Sequence, residues 1–135
     1  MRVDTFMILS VSTALFAIGA RAQSVEKQAS PQLSKCMEAV DLAAMKNSQF
    51  EACYRAELTL QDRRLNDEYK TLQSKTKAES RALLTNAQKS WMSYRDSWCK
   101  YVGSIDAAPS PEVNHVACLV ELTVDQIKRL KESSS

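Results

Sequence analysis

Between Tyr54 and Leu130 the apolar residues return every third or fourth position, and no stretch alternates with a period of two for long enough to form a strand. That spacing places them on one stripe of an α-helix, so the chain can bury them only by packing helices on one another. The first stripe is Tyr54, Leu58, Leu65, Tyr69 and Leu72, interrupted by polar Gln61. The second is Leu84, Ala87, Trp91, Tyr94, Trp98 and Val102. The third is Val113, Val116, Val120, Val124 and Ile127, with Leu119, Leu122 and Leu130 flanking. Two glycines and three prolines in 135 residues leave few interruptions. The expected fold is all-α: a small disulfide-stapled bundle of three main helices plus a short N-terminal helix.

Start and stop signals divide the stripes. A short helix is expected from about Gln32 to Met45, after Ser30-Pro31. Ser48 to Glu51 (SQFE) and Thr76 to Glu79 (TKAE) have the form of capping boxes, opening helices that run to about Ser74 and Val102. Gly103 is a natural helix stop, with Lys100 in the last turn facing the dipole favourably. Ser110-Pro111-Glu112 supplies an N-cap, a proline at the first helical position and an acid at the second. Within the last helix Thr123 is a candidate kink, and residues 133–135 are expected to fray.

The first residues address the chain. Met1 to Gln23 runs from a short charged start through an apolar run, Phe6 to Ile18, to Ala20-Arg21-Ala22. That is the order of a secretory signal, with small residues at −3 and −1 of the cut. The run is too short to span a membrane as a helix. Cleavage after Ala22 is expected, giving a leader over 1–22, a loose segment over 23–31 and a helical domain over 32–132. No cysteine follows the cut, so no lipid anchor on a +1 cysteine forms. The mature protein is expected to be soluble, in the periplasm or secreted. Losing Arg2, Arg21 and Asp4 removes two of 18 basic and one of 16 acidic residues, which leaves a net charge of +1. A nucleic-acid binder would concentrate basic residues on one face, and this chain has no such excess.

The residue types also narrow the chemistry. Cys36, Cys53, Cys99 and Cys118 contain no Cys-x-x-Cys pair and the single histidine is His115, so neither a metal set nor a redox pair is indicated. An even number of cysteines in a small exported domain instead indicates disulfides. Tyr94-Arg95-Asp96 has no nucleotide-binding companions, no carboxylate pair is singled out, and no nucleophile motif accompanies His115. The expectation is therefore a protein without cofactor, metal or catalytic activity. Trp91, Tyr94 and Trp98 lie on one helical seam, where aromatic residues serve as core. Arg95 sits at the edge of that seam. A half-buried guanidinium requires an anion; Asp62 and Glu57 on the preceding helix are the candidates, with Asp62 preferred.

Three blocks together resemble a known family. They are Cys53, Asp62, Leu65, Asn66 and Tyr69; then Trp91-x-x-Tyr94-Arg95-Asp96-x-x-Cys99; then Cys118-Leu119-x-x-Leu122-Thr123. Over roughly Cys36 to Leu130 the chain resembles the N-terminal domain family of the lysozyme inhibitor LprI. It departs from that pattern in a long Cys36–Cys53 spacing, in Lys100-Tyr101 after the third cysteine, in Gln126 where an arginine is common, and in lacking a lipid anchor. The resemblance implies a small helical envelope domain that binds a protein partner, a lysozyme in the naming case. A general envelope interaction or scaffold domain is the alternative.

Four cysteines allow three pairings. Cys99 and Cys118 are symmetric about Ala108-Pro109, and Cys36 and Cys53 about Ala44-Met45. Cys53 and Cys99 are equally symmetric about Thr76, which leaves a nested arrangement open. The sequential pairs, Cys36–Cys53 and Cys99–Cys118, close the shorter loops and are the pairs the resemblance implies. The second would pin the base of the Ser104–Ser110 loop, whose Ile105 and Asp106 are the candidate partner contacts.

Overall fold

The computed structural model describes residues 30–41, 43, 44 and 46–134; the expected signal and its cleavage point lie outside the described residues. Among the described residues the fold consists of four helices, α1 (Pro31–Glu38), α2 (Asn47–Lys75), α3 (Ala78–Val102) and α4 (Pro111–Ser133), with no strand. The central element is α4, which packs against both α2 and α3, while α1 lies on α2. One apolar cluster joins Leu65, Ile127 and Leu130, with Tyr69, Leu72 and Trp91 against it. Further along α4, Val113, Val116 and Val120 are buried.

Several helix ends differ from their sequence signals. Ser30 and Pro31 do not belong to a loose segment. Ser30 is the N-cap of α1, its Oγ accepting from the Leu33 amide, and Pro31 is the first helical residue. The helix stops at Glu38 rather than Met45, because the Asp41 carboxylate accepts from the amides of Ala43 and Ala44 and holds a turn there. Neither capping box forms. Lys46 precedes α2 without a side-chain cap, and Glu51 pairs with Arg55 one turn on. Thr76 closes α2, its hydroxyl donating to the Leu72 carbonyl at 2.8 Å, and so cannot open α3. By contrast Ser110 does cap α4, with Pro111 next.

Helix α4 runs through Thr123 without interruption, and its hydroxyl donates back to the Leu119 carbonyl at 2.7 Å. Its last turn continues to Ser133, where Lys75 Nζ donates to the Ser134 carbonyl, so residues 133 and 134 are held. Gly103 does not take the left-handed conformation of a helix stop; its φ is −72°. It is needed for space: a Cβ there would lie 2.7 Å from the His115 Cβ and 3.1 Å from the Pro111 carbonyl. The ends of α3 and α4 approach closely at this point.

The disulfides join Cys36 to Cys53 and Cys99 to Cys118, with Cα–Cα distances of 5.7 and 5.4 Å. The first ties α1 to α2, the second α3 to α4. Glu57 is the largest fully buried side chain. It lies one turn from Cys53 and one turn from Gln61, in the row Cys53, Glu57, Gln61, Leu65 that α2 buries. Its carboxylate accepts from the Ser30 amide at 3.3 Å, from the Ser30 hydroxyl, and from Gln61 Nε2 at 2.6 Å. Glu57 thus fixes the cap of α1 and does not serve Arg95.

Candidate functional site

Helix α3 is rotated relative to the stripe read from its apolar residues. The face it buries runs through Gln88, Arg95 and Cys99, with Leu84, Trp91 and Val102 half-buried beside them. At 100° per residue this is a turn of roughly 50° away from the aromatic seam. Two tethers fix the rotation. Cys99 must face Cys118, and Arg95 must face the interior, where its Nη1 donates to Asp62 Oδ1 and to Thr123 Oγ1, both at 3.0 Å. Nε donates to Asp96 Oδ1 at 3.0 Å, and the guanidinium carbon lies 5.4 Å from the centre of the Trp91 ring. The structure therefore brings Asp62, Trp91 and Arg95 together, and adds Thr123 and Asp96.

Arg95 is a joint of all three long helices rather than a reactive group. Its own side chain is buried, but Asp62 and Asp96 stay 44% and 60% exposed. Both acids keep water, so the pair is worth less than a fully buried one. Arg95→Ala is expected to cost about 2–3 kcal/mol, from the lost donors to Thr123 and the acids and the lost contact with Trp91. A denaturant melt reads this, and an unchanged midpoint would refute it.

Tyr94 and Trp98 are not core. They are 53% and 46% exposed, and Tyr101, which the seam left out, is 57% exposed. Tyr94 and Trp98 stack at 6.4 Å between ring centres, and Trp98 and Tyr101 meet at 5.6 Å with a 46° tilt. The signal for this lay in the one-residue offset: Arg95 and Cys99 adjoin Tyr94 and Trp98, and the disulfide turned the pair inward. The aromatic row became surface.

Past Val102 the chain enters the Ser104–Ser110 loop, in which Ile105 and Asp106 are exposed. Four ties hold it. Cys99–Cys118 closes its base, the Ala107 amide donates to the Ile105 carbonyl, Asn114 Nδ2 donates to the Ala107 carbonyl at 2.9 Å, and Asn47 Nδ2 donates to the Pro109 carbonyl at 2.8 Å. The Ala108–Pro109 peptide is cis. Beside the loop an open groove of about 660 Å³ is lined by Lys100, Glu112 and His115 among others. His115 stands there with no metal set: among the described residues no group of three His, Cys, Asp or Glu could hold an ion. Elsewhere burial, with Glu121 adding to it, raises the Tyr54 phenol above its ordinary value, so that group stays neutral.

No described helix is long and apolar enough to cross a membrane. A family model described as lysozyme inhibitor LprI matches residues 36–130, from the first cysteine to the last buried leucine of α4. No curated protein and no solved structure matches the chain. With the match spanning both disulfides, α2, α3 and all but the last three residues of α4, the chain belongs to the LprI lysozyme inhibitor family.

Proposed function

We propose that this protein is exported and binds a protein partner outside the cytoplasm, inhibiting a lysozyme without turning over any substrate, through the loop from Ser104 to Ser110. Family membership supports the partner class. The observation that supports the loop is its fourfold anchoring, because a loop already held in shape loses little freedom on binding. It presents an apolar side chain, Ile105, beside a carboxylate, Asp106, with Glu112 close by at the start of α4. Lysozymes are typically cationic, and these acids complement such a surface locally. A net charge of +1 on the mature chain gives no long-range steering, so association is expected at an ordinary rate, with affinity set by the fit of the loop.

The test is lysozyme inhibition and co-precipitation with the oxidised protein. Replacing Ile105 and Asp106 together by alanine should weaken binding at least about tenfold, equivalent to about 1.4 kcal/mol, with the melting temperature unchanged. Equal binding by the double variant would remove the loop from the contact. Turnover of a substrate by the purified protein would end the non-catalytic reading. If lysozyme is not bound at all, the alternative of a general envelope interaction domain replaces this one.

A further inference from the structure

The two disulfides differ in what surrounds them. In Cys99–Cys118 both cysteines are buried, Cys99 completely. They join α3 to α4 near the point where Gly103 has no room for a Cβ beside His115. In Cys36–Cys53 only Cys53 is buried, and Cys36 on α1 is partly exposed. Disulfide exchange begins when a thiolate attacks one sulfur, and its rate depends on access to that sulfur. A bridge with one reachable sulfur is therefore open to attack in the folded state. A bridge with neither must wait for its helices to separate.

The elements that the bridges join differ as well. Helices α3 and α4 are 25 and 23 residues long and pack on each other, and α4 packs on α2 besides. Helix α1 has eight residues, lies mainly on α2, and buries Leu33 alone of its own residues. Its other hold is its cap, where buried Ser30 donates its amide and its hydroxyl to Glu57. So short a helix is marginal by itself. It is kept in place by two ties, Ser30 to Glu57 at its start and Cys36 to Cys53 in its last turn. Cutting the second leaves one leucine and one polar contact to order it.

We propose that Cys36–Cys53 is an exchangeable bridge, opened in the folded protein by a dithiol reductant that attacks Cys36, and that Cys99–Cys118 is a permanent one. The attacking thiolate bonds to Cys36 Sγ and the bond between the two cysteines breaks, Cys53 leaving as a thiolate that takes up a proton. The second thiol of the reductant then displaces Cys36, which is protonated in turn. The bridge ends as two thiols and the dithiol as its own disulfide, so electrons and protons balance. Opening frees α1 from α2, and the Glu57 carboxylate exchanges Ser30 for water. Helices α2, α3 and α4 stay assembled, because their packing and the Arg95 joint are made among themselves. The Ser104–Ser110 loop keeps its own bridge, so this inference does not depend on what that loop binds.

Treating the oxidised protein with dithiothreitol at neutral pH without denaturant, then quenching with acid, alkylating free thiols and mapping peptides, tests it. Cys36 and Cys53 should be labelled at least about tenfold faster than Cys99 and Cys118. Hydrogen exchange on the partly reduced protein should show the amides of Leu33 to Ala39 unprotected and those of α2, α3 and α4 still protected. Cys36→Ala/Cys53→Ala, which cuts the same tie without a reductant, should give the same pattern. Both bridges opening at one rate, or Cys99–Cys118 opening first, overturns the proposal. So does an α1 as protected after reduction as before it, or a variant that loses protection throughout α2, α3 and α4.

Discussion

Glu57→Ala is expected to lower stability by about 3–5 kcal/mol, more than any other single substitution considered, as the midpoint of a urea melt will show. The carboxylate is fully buried and accepts three hydrogen bonds, from the Ser30 amide, the Ser30 hydroxyl and Gln61 Nε2. Alanine removes the acceptor and leaves those donors in a space that no described side chain replaces. A buried donor left without a partner costs about 1–3 kcal/mol, and a cavity adds to it. The damage would spread to α1, because Ser30 Oγ is also the acceptor for the Leu33 amide at the start of that helix. Glu57→Gln keeps the shape and one acceptor oxygen, so it should recover part of the loss. Equal melting of Glu57→Ala and the wild type would show that water satisfies these groups.

Removing the Cys99–Cys118 bridge by paired alanine substitution should cost about 3 kcal/mol, from the freedom a loop of about twenty residues regains in the unfolded chain. Cys36–Cys53 closes a loop of similar length and should cost about as much. Domains of this size have only about 5–15 kcal/mol in total, so reducing both bridges should leave little folded protein at body temperature. The two are separable by function. Losing Cys99–Cys118 frees the base of the Ser104–Ser110 loop and should weaken partner binding, whereas losing Cys36–Cys53 should affect stability alone. Either double variant melting like the wild type would refute the stapling role of that bridge.

How much of the site was legible depends on which groups direct the packing. The 3–4 spacing of apolar residues correctly indicates helices, because hydrophobic periodicity reports the repeat of the backbone whichever neighbour covers the stripe. It misleads on rotation in α3. Leu84, Ala87, Trp91, Tyr94 and Trp98 make a 3–4 pattern, and so do Leu84, Gln88, Trp91, Arg95 and Cys99. Hydropathy prefers the first. The fold takes the second, because a cysteine that bonds across to α4 and a guanidinium that finds Asp62 and Thr123 both have to face inward. Glu57, weighed in the sequence only as a partner for Arg95, was misplaced for the same reason. A carboxylate is classed as surface until an N-cap from another segment supplies its donors.

What the sequence by itself determined is therefore local and periodic: an all-helical chain, the Ser104–Ser110 loop between α3 and α4, Ser110 as the cap of α4, the family, and the pairing of Arg95 with Asp62. These follow from backbone repeat, from residues that can act only within a turn or two of themselves, and from a rule that a buried charge needs a counter-charge. What only the tertiary structure decided is which side of each helix is inside. It buried Glu57 and Gln61, turned Tyr94, Trp98 and Tyr101 outward, used Gly103 for clearance from His115 rather than for its backbone freedom, and tied down the Ser104–Ser110 loop from Asn47 and Asn114. Most of those outcomes depend on partners far along the chain, such as Ser30 for Glu57, Cys118 for Cys99 and Asn47 for Pro109, and no local pattern contains them.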